Sequence, residues 1–205
     1  MTDRDKTLVE RARQGNQDAF EMLVRQYEKQ VYTLTLRMSR NREDALDLSQ
    51  EVFLRVYRAL PSFRGEASFS SWLYRLTYNA CLDHARKTKK RQELSLSRWH
   101  DEDGEYETQL SDERFSPDKQ WEKKERLQAI ARAMDMLSPQ HRAILTLREI
   151  QGLSYEEIAL VLALPEGTIK SRLARAREAL RNILTSRGNF FEQEPSNQDK
   201  GGESP

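Results

Sequence analysis

An all-α chain made of two small helical domains is what three features of this sequence predict. Apolar residues recur at intervals of three and four along the ordered stretches, with no competing alternation of the kind a strand requires. Residues that start and stop helices punctuate those stretches at regular places. The sign of the local charge also changes where the pattern lapses, which divides the chain into modules.

The 34 Lys and Arg against 33 Asp and Glu leave a net charge of only +1 over 205 residues, but the charges are segregated. Residues 1–91 carry 18 basic and 12 acidic side chains, 92–126 carry 6 and 11, 127–187 carry 9 and 6, and 188–205 carry 1 and 4. Two basic modules separated by an acidic connector point to a polyanion as the shared ligand, with nucleic acid the first candidate.

The first module reads as four helices. Asp5 to Gln14 stops at Gly15; Asn16 and Asp18 open a stretch to Met38 in which Phe20, Leu23, Val24, Tyr27, Val31 and Leu34 fall on one side. Asn41 is a good cap, Glu43 and Asp44 suit the positive end of the next helix, and Pro61 ends it after Leu60. A loop containing Phe63, Gly65 and Phe69 leads to a helix from Ser70 to about Lys89, ending in the basic cluster Arg86, Lys87, Lys89, Lys90 and Arg91. Between Asp101 and Glu113 lie seven acids, no Lys or Arg, and Gly104, the composition of a flexible linker. Helices resume at Ser116-Pro117 and Ser138-Pro139, the latter running to Gly152. Ser154-Tyr-Glu-Glu157 has capping-box spacing, a short helix follows, and after Leu164-Pro-Glu-Gly167 a last helix runs to Ser186. The expected boundaries are 1–91, linker 92–115, 116–187, and a disordered tail 188–205.

The last two helices form a helix-turn-helix pattern. Ile169, Leu173, Ala176 and Leu180 share one side of the final helix and are expected to pack on Ile158 and Leu162. The opposite side carries Thr168, Ser171 and Arg175, flanked by Lys170 and Arg177, with Arg172 near the other edge. Such a face suits guanine acceptors and phosphates in a major groove; a solvated basic face is the plainer alternative. From Leu137-Ser-Pro-Gln-His-Arg through Ile-Lys-Ser-Arg-Leu-Ala-Arg-Ala-Arg, this region resembles region four of bacterial sigma factors of the extracytoplasmic-function (ECF) group. The resemblance implies reading of the minus thirty-five promoter element, with Lys170, Ser171, Ala174 and Arg175 toward bases and Thr168 and Arg172 nearer phosphates.

In the helix from Asn41, Ala45, Leu48, Val52, Val56 and Ala59 form the buried side and leave Asp47, Gln50, Glu51, Leu54, Tyr57 and Arg58 outside. Acids mixed with exposed apolar groups suit docking to a basic protein surface, although isolated exposed apolar residues are ordinary. Asp44-Ala-Leu-Asp-Leu-Ser-Gln-Glu-Val-Phe-Leu-Arg-Val-Tyr-Arg is similar to the core-polymerase-binding helix of sigma region two. That likeness implies contacts from Asp47, Gln50, Glu51, Phe53 and Leu54 to the clamp of the β-prime subunit, and a β-flap contact elsewhere.

In the helix from Ser70, Trp72, Leu73, Leu76 and Ala80 cover one side and Tyr74, Tyr78, Cys81 and Ala85 another, with a polar stripe of Arg75, Asn79, Asp83 and Arg86 between. The resemblance implies melting of the minus ten element and capture of a flipped base by Phe63, Ser68, Phe69, Trp72, Arg75 and Asn79, with Arg86 and Lys87 on phosphates. Core packing is the competing role for Trp72 and Phe69.

No nucleophile-base set, phosphate-binding glycine loop or metal motif appears, so neither an enzyme nor a metal or cofactor site is expected. The longest apolar run, Ile158 to Leu164, falls far short of the roughly 20 residues that span a bilayer, and no signal-type segment opens the chain, so a cytoplasmic protein without membrane insertion is expected. The family resemblance further implies double-stranded and melted promoter DNA as partners and an anti-sigma factor as regulator. The alternative is a helix-turn-helix regulator that never meets polymerase.

Overall fold

The computed structural model describes residues 3–95 and 117–186, and all regular elements among them are helical. In the first module α1 (Asp3–Arg13), α2 (Gln17–Ser39), α3 (Arg42–Ala59) and α4 (Phe69–Ser95) follow in order, with a 3₁₀ turn Leu60–Ser62 after α3. In the second, α5 (Pro117–Met136) and α6 (Pro139–Leu145) precede a π-helical turn Thr146–Ile150, then α7 (Tyr155–Leu162) and α8 (Glu166–Ser186). The acidic connector and the tail expected from composition lie outside the described residues, apart from the end of α4, which continues past residue 91.

Local chemistry sets the ends. Asn16 Oδ1 accepts from the Ala19 amide at 2.8 Å, and Asn41 Oδ1 accepts from Glu43 and Asp44 at 2.8 and 3.1 Å. Each satisfies donors that a helix start leaves unpaired. Ser154 and Glu157 complete the reciprocal capping box, with bonds of 3.1 and 2.9 Å. Helix α7 stops at Ala163, which takes a left-handed backbone at φ 53° and so turns the chain toward α8. The single helix expected from Pro139 to Gly152 is instead broken by the π turn, and Gly152 at φ +72° reverses the chain.

The first core is built from Leu23, Tyr27 and Val31 of α2, Leu48, Val52 and Val56 of α3, and Phe69, Leu73 and Ala80 of α4. Thr35 is buried there, its hydroxyl bonded to Ala45 O at 3.1 Å and to the Ser49 hydroxyl at 3.0 Å, so α2 and α3 are tied by polar as well as apolar contacts. The second core joins Ile144, Leu145 and Leu147 with Ile158 and Val161 of α7 and Ile169, Leu173 and Ala176 of α8.

The two modules are packed together. Leu34 of α2 and Tyr74 of α4 are buried in the second module's core, with Tyr78 half-buried beside them. The second apolar side of α4 is thereby divided: Tyr74 and Tyr78 face the second module, Cys81 lies in the core of its own module, and Ala85 is exposed. Burying side chains of this size is worth about 2 kcal/mol each.

Candidate promoter and polymerase interfaces

Three surfaces emerge from this scaffold. The first is the outer face of α3. Burial of Ala45, Leu48, Val52 and Val56 turns Asp47, Gln50 and Leu54 into solvent, and Leu54 is 57% and Tyr57 52% exposed. Tyr57 is braced by Phe20 of α2, the rings meeting edge to face at 5.0 Å. Glu51 is half-buried and paired with Arg55 at 2.5 Å, and Arg55 reaches on to Asp83 of α4 at 3.2 Å. Both carboxylates hold the Arg55 guanidinium above its ordinary range, Glu51 most strongly. Phe53 points the other way and packs on the core of the first module.

The second surface is a cleft of about 380 Å³ at the loop before α4, lined by Phe63, Arg64, Gly65, Glu66, Ser71, Trp72 and Arg75. Its aromatic wall is a cluster: Phe63 lies 4.9 Å from Trp72, and Phe69 lies 5.8 Å from Trp72 and 5.4 Å from Tyr27. Phe69 is only 1% exposed and Phe63 is buried too, so both build the wall from within, while Trp72 stands half open at the cleft. Ser68 is the cap of α4, its hydroxyl accepting from the Ser71 amide at 3.1 Å and sharing hydrogens with the Ser70 and Ser71 hydroxyls. Arg75, Asn79, Arg86 and Lys87 are exposed along the polar stripe.

The third surface is the outer face of α8. With Ile169, Leu173 and Ala176 sealed in the core of the second module, Lys170, Ser171, Ala174 and Arg175 are exposed, Thr168 half so. Lys170 pairs with Glu166 at 2.6 Å and lies 5.9 Å from the Tyr155 ring centre; Glu166 holds its ammonium above the usual range. The Ser171 hydroxyl is turned back to Thr168 O at 3.0 Å. Arg172 leans toward α4 and Tyr78, whose hydroxyl burial pushes up and Arg172 pulls back. Arg177, at the flank, pairs with Glu149 at 2.6 Å.

Residues 23–91 match the family model Sigma-70 region 2, and residues 127–180 match Sigma-70, region 4. The chain is 36% identical over 89% of its length to the RNA polymerase sigma-H factor of Pseudomonas aeruginosa, covering 94% of that protein. The chain belongs to the ECF group of RNA polymerase sigma factors. To the ECF RNA polymerase sigma-E factor of Escherichia coli the identity is 37%, over 87% of this sigma factor and 93% of the relative. A solved structure of CnrH in complex with the cytosolic domain of CnrY superposes with a TM-score of 0.66 at 25% identity, covering 91% of this chain and all of that one. The sigma factor is therefore a non-enzymatic initiation factor that binds core RNA polymerase and directs it to particular promoters. No helix among its described residues is long and apolar enough to cross a membrane.

Sequence reasoning missed Leu160, which projects from α7 into the lining of the cleft, and Gln151, Arg55 and Arg142. Arg142 is buried, its Nη1 on Asp135 O at 3.4 Å. Burial first, and Arg40 next, hold that guanidinium below its usual range, with Asp135 offsetting part of the effect. Leu160 and Gln151 carry no local signal, because each meets residues distant in sequence; Arg55 has a local partner in Glu51, but its reach to Asp83 is not visible from spacing.

Proposed function

We propose a division of labour among these surfaces. Residues 1–91 form the unit that docks on polymerase and opens DNA, 116–187 the unit that reads the upstream element, and 92–115 the tether. Asp47, Gln50 and Leu54 touch the basic clamp directly, Glu51 joins them by exchanging its Arg55 partner, and Phe53 sets the curvature of the helix from behind. A rigid apolar anchor within an acidic rim is the pattern of a docking hot spot.

The cleft receives an unstacked base of the melted minus ten element. Trp72 offers a stacking face, Phe63 and Phe69 hold that face in place, Arg75 and Asn79 carry the donors and acceptors that read base edges, and Arg86 and Lys87 hold phosphates. The outer face of α8 reads the minus thirty-five duplex through Lys170, Ser171, Ala174 and Arg175, with Thr168 and Arg172 at the phosphates. Lys170 must exchange Glu166 for DNA, a small cost because the pair is exposed.

The single observation that carries this reading is the pairing of an aromatic cleft with a separate basic helix face in one chain, since a duplex reader alone needs only the second. The relatives are polymerase sigma factors, which removes the reason to prefer a regulator that acts without polymerase. An anti-sigma factor that covers these surfaces is the natural regulator, as the anti-sigma factor NepR partners the sigma factor RpoE of Bartonella quintana, and the cytoplasm, where polymerase works, is the compartment.

The test is permanganate footprinting of a responsive promoter with reconstituted holoenzyme. Trp72→Ala should abolish thymine reactivity at the minus ten element yet leave protection at the minus thirty-five element, and Lys170→Ala with Arg175→Ala should abolish that protection yet leave thymine reactivity on the same duplex promoter at saturating holoenzyme. Loss of both signals in both variants, with the proteins folded, rejects the division.

A further inference from the structure

A fully buried arginine almost always faces an anion, because it cannot shed its proton and its charge is costly to strip of water. Arg142 of α6 is 3% exposed, yet no carboxylate meets it among the described residues. Its Nη1 reaches the Asp135 carbonyl oxygen at 3.4 Å, while its Nε is buried without a partner among the described residues, as is Thr146 Oγ1 four residues on. Two further guanidiniums stand near it. Arg40, at the end of α2, donates from Nη1 to the same Asp135 oxygen at 3.3 Å, so two cations converge on one atom. The two Nη1 atoms are thereby close enough for oxygens of one small oxyanion to take a hydrogen bond of about 2.9 Å from each. Arg37, one turn earlier on α2, is half-buried and makes no hydrogen bond or ion pair among the described residues.

Helix capping accounts for part of this cluster. Arg40 closes α2 with a left-handed backbone at φ 59°, which Gly or Asn takes more readily, and its side chain crosses to the end of α5. Carbonyls at a helix C-terminus attract positive charge, which explains one bond from Arg40 and one from Arg142. It explains neither the third cation nor the donors left over, since each guanidinium has five. The cations also repel one another. After burial itself, Arg40 acts most strongly to hold the Arg142 guanidinium below its ordinary range, and Arg37 adds to the effect. Asp135 is the one acid that offsets them on Arg142, and it makes no ion pair with any of the three. Three positive charges against one negative leave a surplus of two where the ends of α2, α5 and α6 meet.

We propose that Arg37, Arg40 and Arg142 form a binding site for a doubly charged phosphate, the group presented by inorganic phosphate and by the monoester end of a nucleotide. A phosphate monoester carries about −1.5 to −2 charges near neutral pH, which matches the surplus at the site, and its oxygens accept from forked guanidinium donors in pairs. A phosphate of the DNA backbone is a diester with one charge and is the poorer match. The site stands apart from the promoter surfaces: none of its three arginines lines the cleft before α4 or lies on α8. It therefore does not rest on the assignment of either surface to DNA.

The experiment is titration calorimetry of the full chain with sodium phosphate, against sodium chloride of matched ionic strength, and then with adenosine monophosphate. Phosphate should bind saturably at one site per chain. Arg37→Ala and Arg40→Ala, at side chains that are not buried, should each weaken it by about tenfold, and Arg40→Lys, which keeps the charge and loses the fork, should fall between. Adenosine monophosphate that binds more tightly than phosphate, through the same arginines, supports the site and names a nucleotide as its source; equal or weaker binding supports it with free phosphate as the source. No saturable heat, or the same heat in the Arg37→Ala and Arg40→Ala variants with native circular dichroism, overturns the site. Equal competition from a duplex oligonucleotide of random sequence shows a backbone contact and overturns the monoester assignment. Phosphate binding that appears only after the seven acids of residues 101–113 are replaced by Ser shows that the chain's own acidic segment fills the site, and overturns it as well.

Discussion

In the division of labour proposed above, the outer face of α8 and the cleft before α4 solve different recognition problems with different architecture. The helix face is flat, open and cationic, with Lys170 and Arg175 in solvent and the apolar side turned into the core of the second module. The cleft is a recess lined by Phe63 and Trp72, with buried Phe69 packed behind them. Duplex DNA presents its groove edges to any rigid helix that fits, so little more than orientation is needed. A base out of the stack has lost its neighbours and needs walls to replace them, and walls make a recess that another part of the chain can cover. The contrast teaches that, in the proposed division of labour, reading a duplex asks only for a well-placed helix, whereas holding an unstacked base asks for a built enclosure.

Disturbing the docking face should have the largest effect, because it lies upstream of both sites. Asp47→Ala with Leu54→Ala is expected to weaken core polymerase binding by about 2 kcal/mol or more, about 30-fold, with duplex affinity of the free chain unchanged. Titration of labelled variant against core polymerase checks it. Next comes the cleft: Trp72→Ala removes a stacking face worth about 1–3 kcal/mol per base. It should slow open-complex formation on duplex templates much more than on a template melted in advance, and the ratio of the two rates is the readout.

How much of this was legible in the sequence follows from what each residue acts on. The ends of α2, α3 and α7 could be read from Asn16, Asn41 and Ser154, because a cap bonds to amides two or three residues away. The buried sides of α3 and α8 followed from periodicity alone. The two apolar sides of α4 were visible as well, but nothing local says that Tyr74 and Tyr78 belong with residues near 151 and 172. The family pattern implies a place for Phe69 in the base pocket, with core packing as the competing role, and only its neighbours in space, Tyr27 and Trp72, show how it is enclosed. The break at Thr146 was hidden because Gly152 is an adequate stop and the preceding residues form helices readily.

A smaller effect is expected at the open face. Lys170→Ala and Arg175→Ala should each cost about 1–3 kcal/mol of discrimination if they bond bases. A residue that meets only phosphate should instead lower the slope of log affinity against log salt by about one. Binding isotherms at several salt concentrations separate the two roles for Lys170, Arg172 and Arg175. The smallest and most gradual effect is alkaline. Burial pushes the Tyr74 hydroxyl and the Cys81 thiol up to about 12, from ordinary values near 10 and 9. Both are neutral in the fold and ionise first in the unfolded chain, so their contribution is full below about pH 9 and is lost as pH rises toward 12. Urea midpoints measured from pH 8 to 11 should therefore decline, and Cys81→Ala should flatten part of the decline.

The central claim, that one chain docks on polymerase through α3 and so brings both DNA-reading surfaces to a promoter, is met most directly by run-off transcription. Purified bacterial core polymerase, with and without the protein, is offered a genomic promoter library. Discrete transcripts that require the protein and vanish with the Asp47→Ala, Leu54→Ala variant are the predicted result. Transcripts that persist unchanged with that variant, or no transcripts at all despite specific duplex binding through Lys170 and Arg175, would contradict it.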